Sequence, residues 1–98
     1  RLEKLSIRWV SNQRQRWGSA TYANTQIRIS SELQGVPEYV LDSVIHHELC
    51  HLLQPNHSAA FRTLEARYPQ LLRAQAYLEG YALGRSRAEG ERGENSAG

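Results

Sequence analysis

The chain has one cysteine, Cys50, one phenylalanine, three prolines and no methionine among its 98 residues. A lone cysteine cannot close an internal disulfide, so no staple holds the fold, and a reducing, cytoplasmic setting is expected. No apolar run approaches the roughly 20 residues that a membrane-crossing helix needs, and no charged-then-apolar leader opens the sequence. The dense lysine and arginine cluster of a nucleic-acid-binding domain is also missing. What remains is 40% hydrophobic and 22% charged. That is too apolar for a wholly disordered chain, and the length suits a single core.

The net charge of +2 is unevenly spread. Residues 1–36 carry six basic and two acidic side chains, 37–84 three and five, and 85–98 three of each. A mildly basic N-terminal part can meet phosphates or acidic partners.

Leu5, Ile7 and Trp9 alternate with Ser6 and Arg8, the period of a half-buried strand. Ser11 to Arg16 reads as a polar turn. Residues 17–22 and 26–30 read as two further short strands joined at Ala23-Asn24-Thr25. A small antiparallel sheet is expected, with Ile7, Trp9, Ile27 and Ile29 facing a core. Pro37 suits the first turn of a helix, where its missing N–H costs nothing. Val40, Leu41, Val44, Ile45, Leu49 and Leu52 then recur at three- and four-residue steps, until Pro55 breaks the pattern. A second helix is expected from about Ser58, capped by Asn56 or Ser58, with Phe61, Leu64 and Tyr68 inward. A third should run from near Pro69 through Leu71, Leu72, Leu78 and Tyr81 and stop by Gly84. The domain is thus placed at 1–84. Residues 85–98 hold no large apolar side chain and are expected to form a disordered tail.

All four histidines fall between positions 46 and 57. Their centre is His47-Glu48-Leu49-Cys50-His51, the H-E-x-x-H pattern. On a helix, residues four apart stand on one face, so two imidazoles can reach one zinc ion at roughly 2.0–2.1 Å. Glu48 can reach a water on that metal and act as its base. A catalytic zinc needs a third protein ligand and an open fourth position. His57, delivered after the Pro55-Asn56 break, is the first choice. Glu65 in the next helix is the alternative, although a carboxylate there is equally explained by a solvated face or by Arg62 or Arg67. His46 lies about a hundred degrees from His47 around the helix and is read as a supporting or surface residue. Cys50 points away from the ligand pair and is read as a small buried residue.

The run Ile45 to Leu52, then Pro55-Asn56-His57-Ser58 and Phe61, together with the upstream Gln15-Arg16-Trp17-Gly18-Ser19 and Ile27-Arg28-Ile29, resembles the YgjP-like metallopeptidase domain. The resemblance covers about Arg14 to Leu72. WLM-type and SprT-like proteases share a similar HELxH and later histidine, but lack the Arg-Trp-Gly-Ser match. The resemblance implies an α+β, zincin-like fold: a small sheet packed on the motif helix, plus two further helices. It implies zinc held by His47, His51 and His57, with Glu48 as the base. Ala20 stands where the family often has Cys or Ser, and the expected domain is shorter at its N-terminus than family members usually are.

The expected function is therefore a zinc metallopeptidase acting on a peptide or protein. One alternative is a metal-dependent nucleotide pyrophosphatase, a role sometimes attached to this family. The sequence has neither a glycine-rich phosphate cradle nor a carboxylate cluster for magnesium. Another is an inactive, zinc-braced zincin that docks protein or nucleic acid. Trp9 and Trp17 among Arg8, Arg14, Arg16 and Arg28 would suit single-stranded nucleic acid. The alternation favours aromatics in the core and arginines in water.

Overall fold

The computed structural model describes residues 4–11 and 16–97, with side chains as far as Glu89. Three strands, β1 (Ser6–Val10), β2 (Gly18–Thr21) and β3 (Gln26–Ser30), form one sheet in the order β1-β3-β2. Three helices follow: α1 (Glu38–Leu53), α2 (Ala59–Glu65) and α3 (Leu71–Ala97). The expected α+β arrangement, a small sheet over the motif helix with two more helices, is what the chain adopts. The turn expected over Ser11–Arg16 falls mostly outside the described residues.

The sheet corrects the expected antiparallel pairing. β2 and β3 form an antiparallel hairpin, but β1 runs parallel to β3, with Ile7 opposite Ile27 and Trp9 opposite Ile29. The alternation identifies strands without fixing the sense of their partners. Consecutive parallel strands need a long crossover. Here β2 intervenes and reverses the chain, so β3 returns parallel to β1 and slots between the other two. The hairpin turn spans residues 22–25, with the Thr25 N–H donating to the Tyr22 carbonyl at 3.2 Å.

The core forms where α1 meets β3: Ile27, Ile29, Leu33, Val44 and Leu52 are buried together, with Leu41, Ile45 and Leu49 packed against them. The helical stripe read from the sequence therefore faces the sheet. It does not extend beneath β1. Ile7 and Trp9, expected in the core, are 48% and 43% exposed. They share a face with Ile27 and Ile29, but β1 lies at the edge, beyond the cover of the helix.

Ser58 caps α2, accepting from the Phe61 N–H at 3.3 Å. On α3 the inward row is Leu71, Ala74, Leu78 and Tyr81, whereas Leu72 is 79% exposed. The expected stop by Gly84 does not occur. A glycine inside a helix costs about 1 kcal/mol relative to alanine but does not end it, and α3 continues to Ala97 rather than giving way to a structureless tail at residue 85. Past Gly84 the helix is still anchored, at Arg85. Its Nη1 lies 2.6 Å from Glu32 Oε1, and its guanidinium stacks 5.0 Å from the Trp17 ring centre. Tyr81 sits one turn earlier, edge-on to Trp17 at 5.5 Å, and its hydroxyl donates to the Glu32 carbonyl at 3.1 Å.

This anchor defines where the tail ceases to matter. Removing residues 86–98 should leave the melting temperature within about 2 °C, because Ser86 to Glu89 are exposed and surface segments contribute little. Arg85→Ala should instead cost about 1 kcal/mol, from a half-exposed ion pair and one cation–π contact. A thermal melt reads that as a fall of about 4–8 °C for a domain of this size.

Candidate metal centre

α1 carries His47 and His51 one helical turn apart, with their rings edge-to-face at 4.8 Å. After Leu53 the backbone at Gln54 turns extended, its N–H donating to the Cys50 carbonyl at 2.7 Å. Pro55 has no N–H with which to continue the helix. The chain folds back and brings His57 to the same place. His57 Nε2 lies 3.2 Å from His51 Nε2, close to the roughly 3.3 Å edge of a tetrahedron with 2.0–2.1 Å arms. Ligand atoms of His47, His51 and His57 all lie within 4.8 Å of one another.

Phe61, fully buried on α2, lies beneath all three rings at 4.6–5.2 Å. One turn later on the same helix, Glu65 Oε2 meets His47 Nδ1 at 2.6 Å. Glu65 is only 9% exposed. Here it is neither solvated nor paired with arginine; it is joined to His47 rather than grouped with the converging atoms of His47, His51 and His57. By engaging Nδ1 it leaves His47 Nε2 as the atom free to face a metal, the usual carboxylate–histidine support of a metal ligand. The i, i+4 spacing of Phe61 and Glu65 on a Ser58-capped helix was the available signal, but it shows only that they share a face.

Burial holds the His51 proton affinity below the ordinary imidazole value, aided by the neighbouring His47 and His57. A hydrogen bond at the Pro55 backbone and the Glu65 charge act in the opposite sense. The neutral ring is the form that binds a metal.

Glu48 is 6% exposed, on the α1 face beneath β2. Burial raises its carboxyl above the ordinary value, with His47 and then Arg16 opposing the rise. Its close neighbour is Gly18. A Cβ there would stand 3.2 Å from Glu48 Oε2 and 3.1 Å from the Arg28 carbonyl, so any larger residue would push β2 or the carboxylate aside by a few tenths of an ångström. The Trp-Gly step thus serves two ends: Trp17 is fixed by Tyr81 and Arg85, and Gly18 makes room for Glu48.

His46 stays out of the cluster. Its Nε2 lies 2.9 Å from the Leu64 carbonyl, tying α1 to the end of α2, and its ring tilts against Tyr68. Cys50 is buried, 3.5 Å from His46 Nε2. Burial, and secondarily the charge of Glu65, raises its thiol above the ordinary value, the opposite of a metal-binding thiolate.

A cleft of about 560 Å³ opens over this cluster. Gly18 and Ala20 of β2 contribute one side, the His47–His51 face of α1 another, and Leu71 and Leu78 of α3 an apolar wall.

A mixed sheet thus lies over a helix bearing two histidines and a buried glutamate, with a third histidine folded back beside them. Residues 3–81 match the YgjP-like metallopeptidase domain, and the chain belongs to that family. Among solved structures, the chain is similar to the metallopeptidase zymogen of Pyrococcus abyssi abylysin, with a TM-score of 0.67 at 17% identity, over 79% of this chain and 77% of that one. At that identity the likeness is one of fold. No curated protein matches the chain. No helix among the described residues is long and apolar enough to cross a membrane.

Proposed function

We propose that the protein is a zinc-dependent peptidase in which His47, His51 and His57 hold the metal and Glu48 is the general base. The observation that carries the reading is the convergence of three imidazole nitrogens beside a buried carboxylate at one wall of a cleft. An all-nitrogen set of three suits zinc, and three protein ligands leave a position open for chemistry. Bound zinc supplies the Lewis acid that polarises the scissile carbonyl and acidifies a water molecule.

The chain's own residues do the rest. Glu65 fixes the His47 ring by accepting from Nδ1. Glu48 accepts the proton of the attacking water on a carboxylate oxygen and passes it to the leaving amine. Its burial favours that exchange, because a carboxylate whose affinity for protons is raised is a better acceptor near neutral pH. Gly18 lets β2 pack against the Glu48 carboxylate at the edge of the cleft.

The domain should take up one zinc per chain and hydrolyse an unstructured protein substrate, with activity lost to a chelator and restored by zinc. Metal analysis alongside a hydrolysis assay tests this. Protein that stays metal-free after incubation with zinc overturns the metal assignment, and a zinc-loaded domain that cuts no peptide overturns the base assignment.

A further inference from the structure

The charges that line the cleft are unequally engaged. Glu65 is bound to His47, and Glu48 is buried beneath β2. Arg16, at the head of β2, is the one permanent cation among the described lining residues. It is exposed, and it makes no ion pair with any described residue.

Its backbone is held by its neighbour. The Trp17 carbonyl accepts from the Ser30 N–H at 2.9 Å, and the Trp17 ring is clasped by Tyr81 and Arg85. Two peptide units separate the Arg16 Cα from that of Gly18, a span of at most about 7.6 Å. A guanidinium on a long side chain at that distance can reach a peptide residue one or two positions from a bond held over Glu48. Much of the remaining lining is apolar, including Val44, Leu52, Leu71 and Leu78. An acidic group entering the cleft would therefore meet Arg16 as its cationic partner outside the metal centre.

We propose that Arg16 is a carboxylate subsite of the cleft, holding an acidic group of the peptide within about two residues of the scissile bond. The guanidinium fork matches a carboxylate with two parallel N–H donors, which a lysine cannot reproduce. The same chemistry is offered by a peptide's C-terminal carboxylate and by an aspartate or glutamate side chain. The subsite rests on the peptidase reading for its substrate class, and it acts on binding rather than on proton transfer.

The test uses binding to the zinc-loaded Glu48→Gln variant, so that it reads out even if the wild-type chain cuts nothing. Three fluorescent peptides of one neutral sequence are compared by anisotropy: a free C-terminal acid, its amide, and the amide with one internal aspartate. The metal attracts carboxylates too, so each Kd is measured again with Arg16→Gln and with Arg16→Lys added. At an exposed position the preference for an acidic peptide over the neutral amide should be about threefold to tenfold and should weaken with salt. Arg16→Gln should reduce the acidic preference to what the metal alone gives, and Arg16→Lys should retain part of it. A preference confined to the free acid assigns the subsite to chain ends, and one confined to the aspartate peptide assigns it to acidic side chains. An acidic preference unchanged by Arg16→Gln, or no preference at all, overturns the proposal. Loss of hydrolysis in the wild type with the Arg16-dependent preference intact would instead count against the peptidase reading alone.

Discussion

Glu48→Gln is expected to keep zinc bound while lowering peptide hydrolysis by about 10²–10⁴-fold, the usual contribution of a positioned general base. The substitution is nearly isosteric, so the close approach of β2 through Gly18 is retained. It also removes a charge from a site where burial disfavours charge, so the metal-free fold should lose nothing by it. Gln cannot accept a proton from water at neutral pH. The effect should therefore fall on kcat and leave peptide affinity nearly unchanged. Metal content measured on the same sample separates the roles. Zinc lost together with activity would make Glu48 a ligand or a structural partner and remove it from the proton-transfer step.

The parts of this protein that were legible in its sequence are those governed by short-range spacing. A helical period placed α1, and the same period put His47 and His51 on one face; Pro55 marked where the helix had to end. The parts that were not legible depend on what lies opposite. Alternation along Ser6–Val10 shows which residues share a face, but not that β1 sits at the edge, past the reach of α1. Alternation alone accordingly predicts Ile7 and Trp9 inside. Glu65 and Gly18 matter through partners that are distant in sequence, His47 at 18 residues' separation and Glu48 at 30. No local pattern encodes such pairs. The anchoring of α3 at Arg85 belongs with them, because its partners Glu32 and Trp17 lie on other elements.

His57→Ala should weaken zinc binding by more than about 100-fold, beyond the 10–100-fold range typical of losing a residue that only supports a ligand. Glu65→Ala should fall within that range, because it frees the His47 ring without removing a metal bond. His46→Ala should leave zinc affinity unchanged and cost about 1 kcal/mol of stability, for the contact between its Nε2 and the Leu64 carbonyl. The order of the three is the diagnostic. His57 is exposed and follows a break in the helix, so its removal should disturb little else, and a melt of the metal-free variant should match the parent. Two histidines on one turn of α1 would still hold zinc weakly, leaving the loss large but incomplete. Glu65→Gln refines the comparison: its side-chain oxygen can still accept from His47 Nδ1, so most of the affinity should return relative to Glu65→Ala. A ligand carboxylate would gain no such rescue from an amide. Should Glu65→Ala strip the metal while His57→Ala retains it, the third ligand is the glutamate, and the 2.6 Å contact with His47 would have to give way when the ion binds.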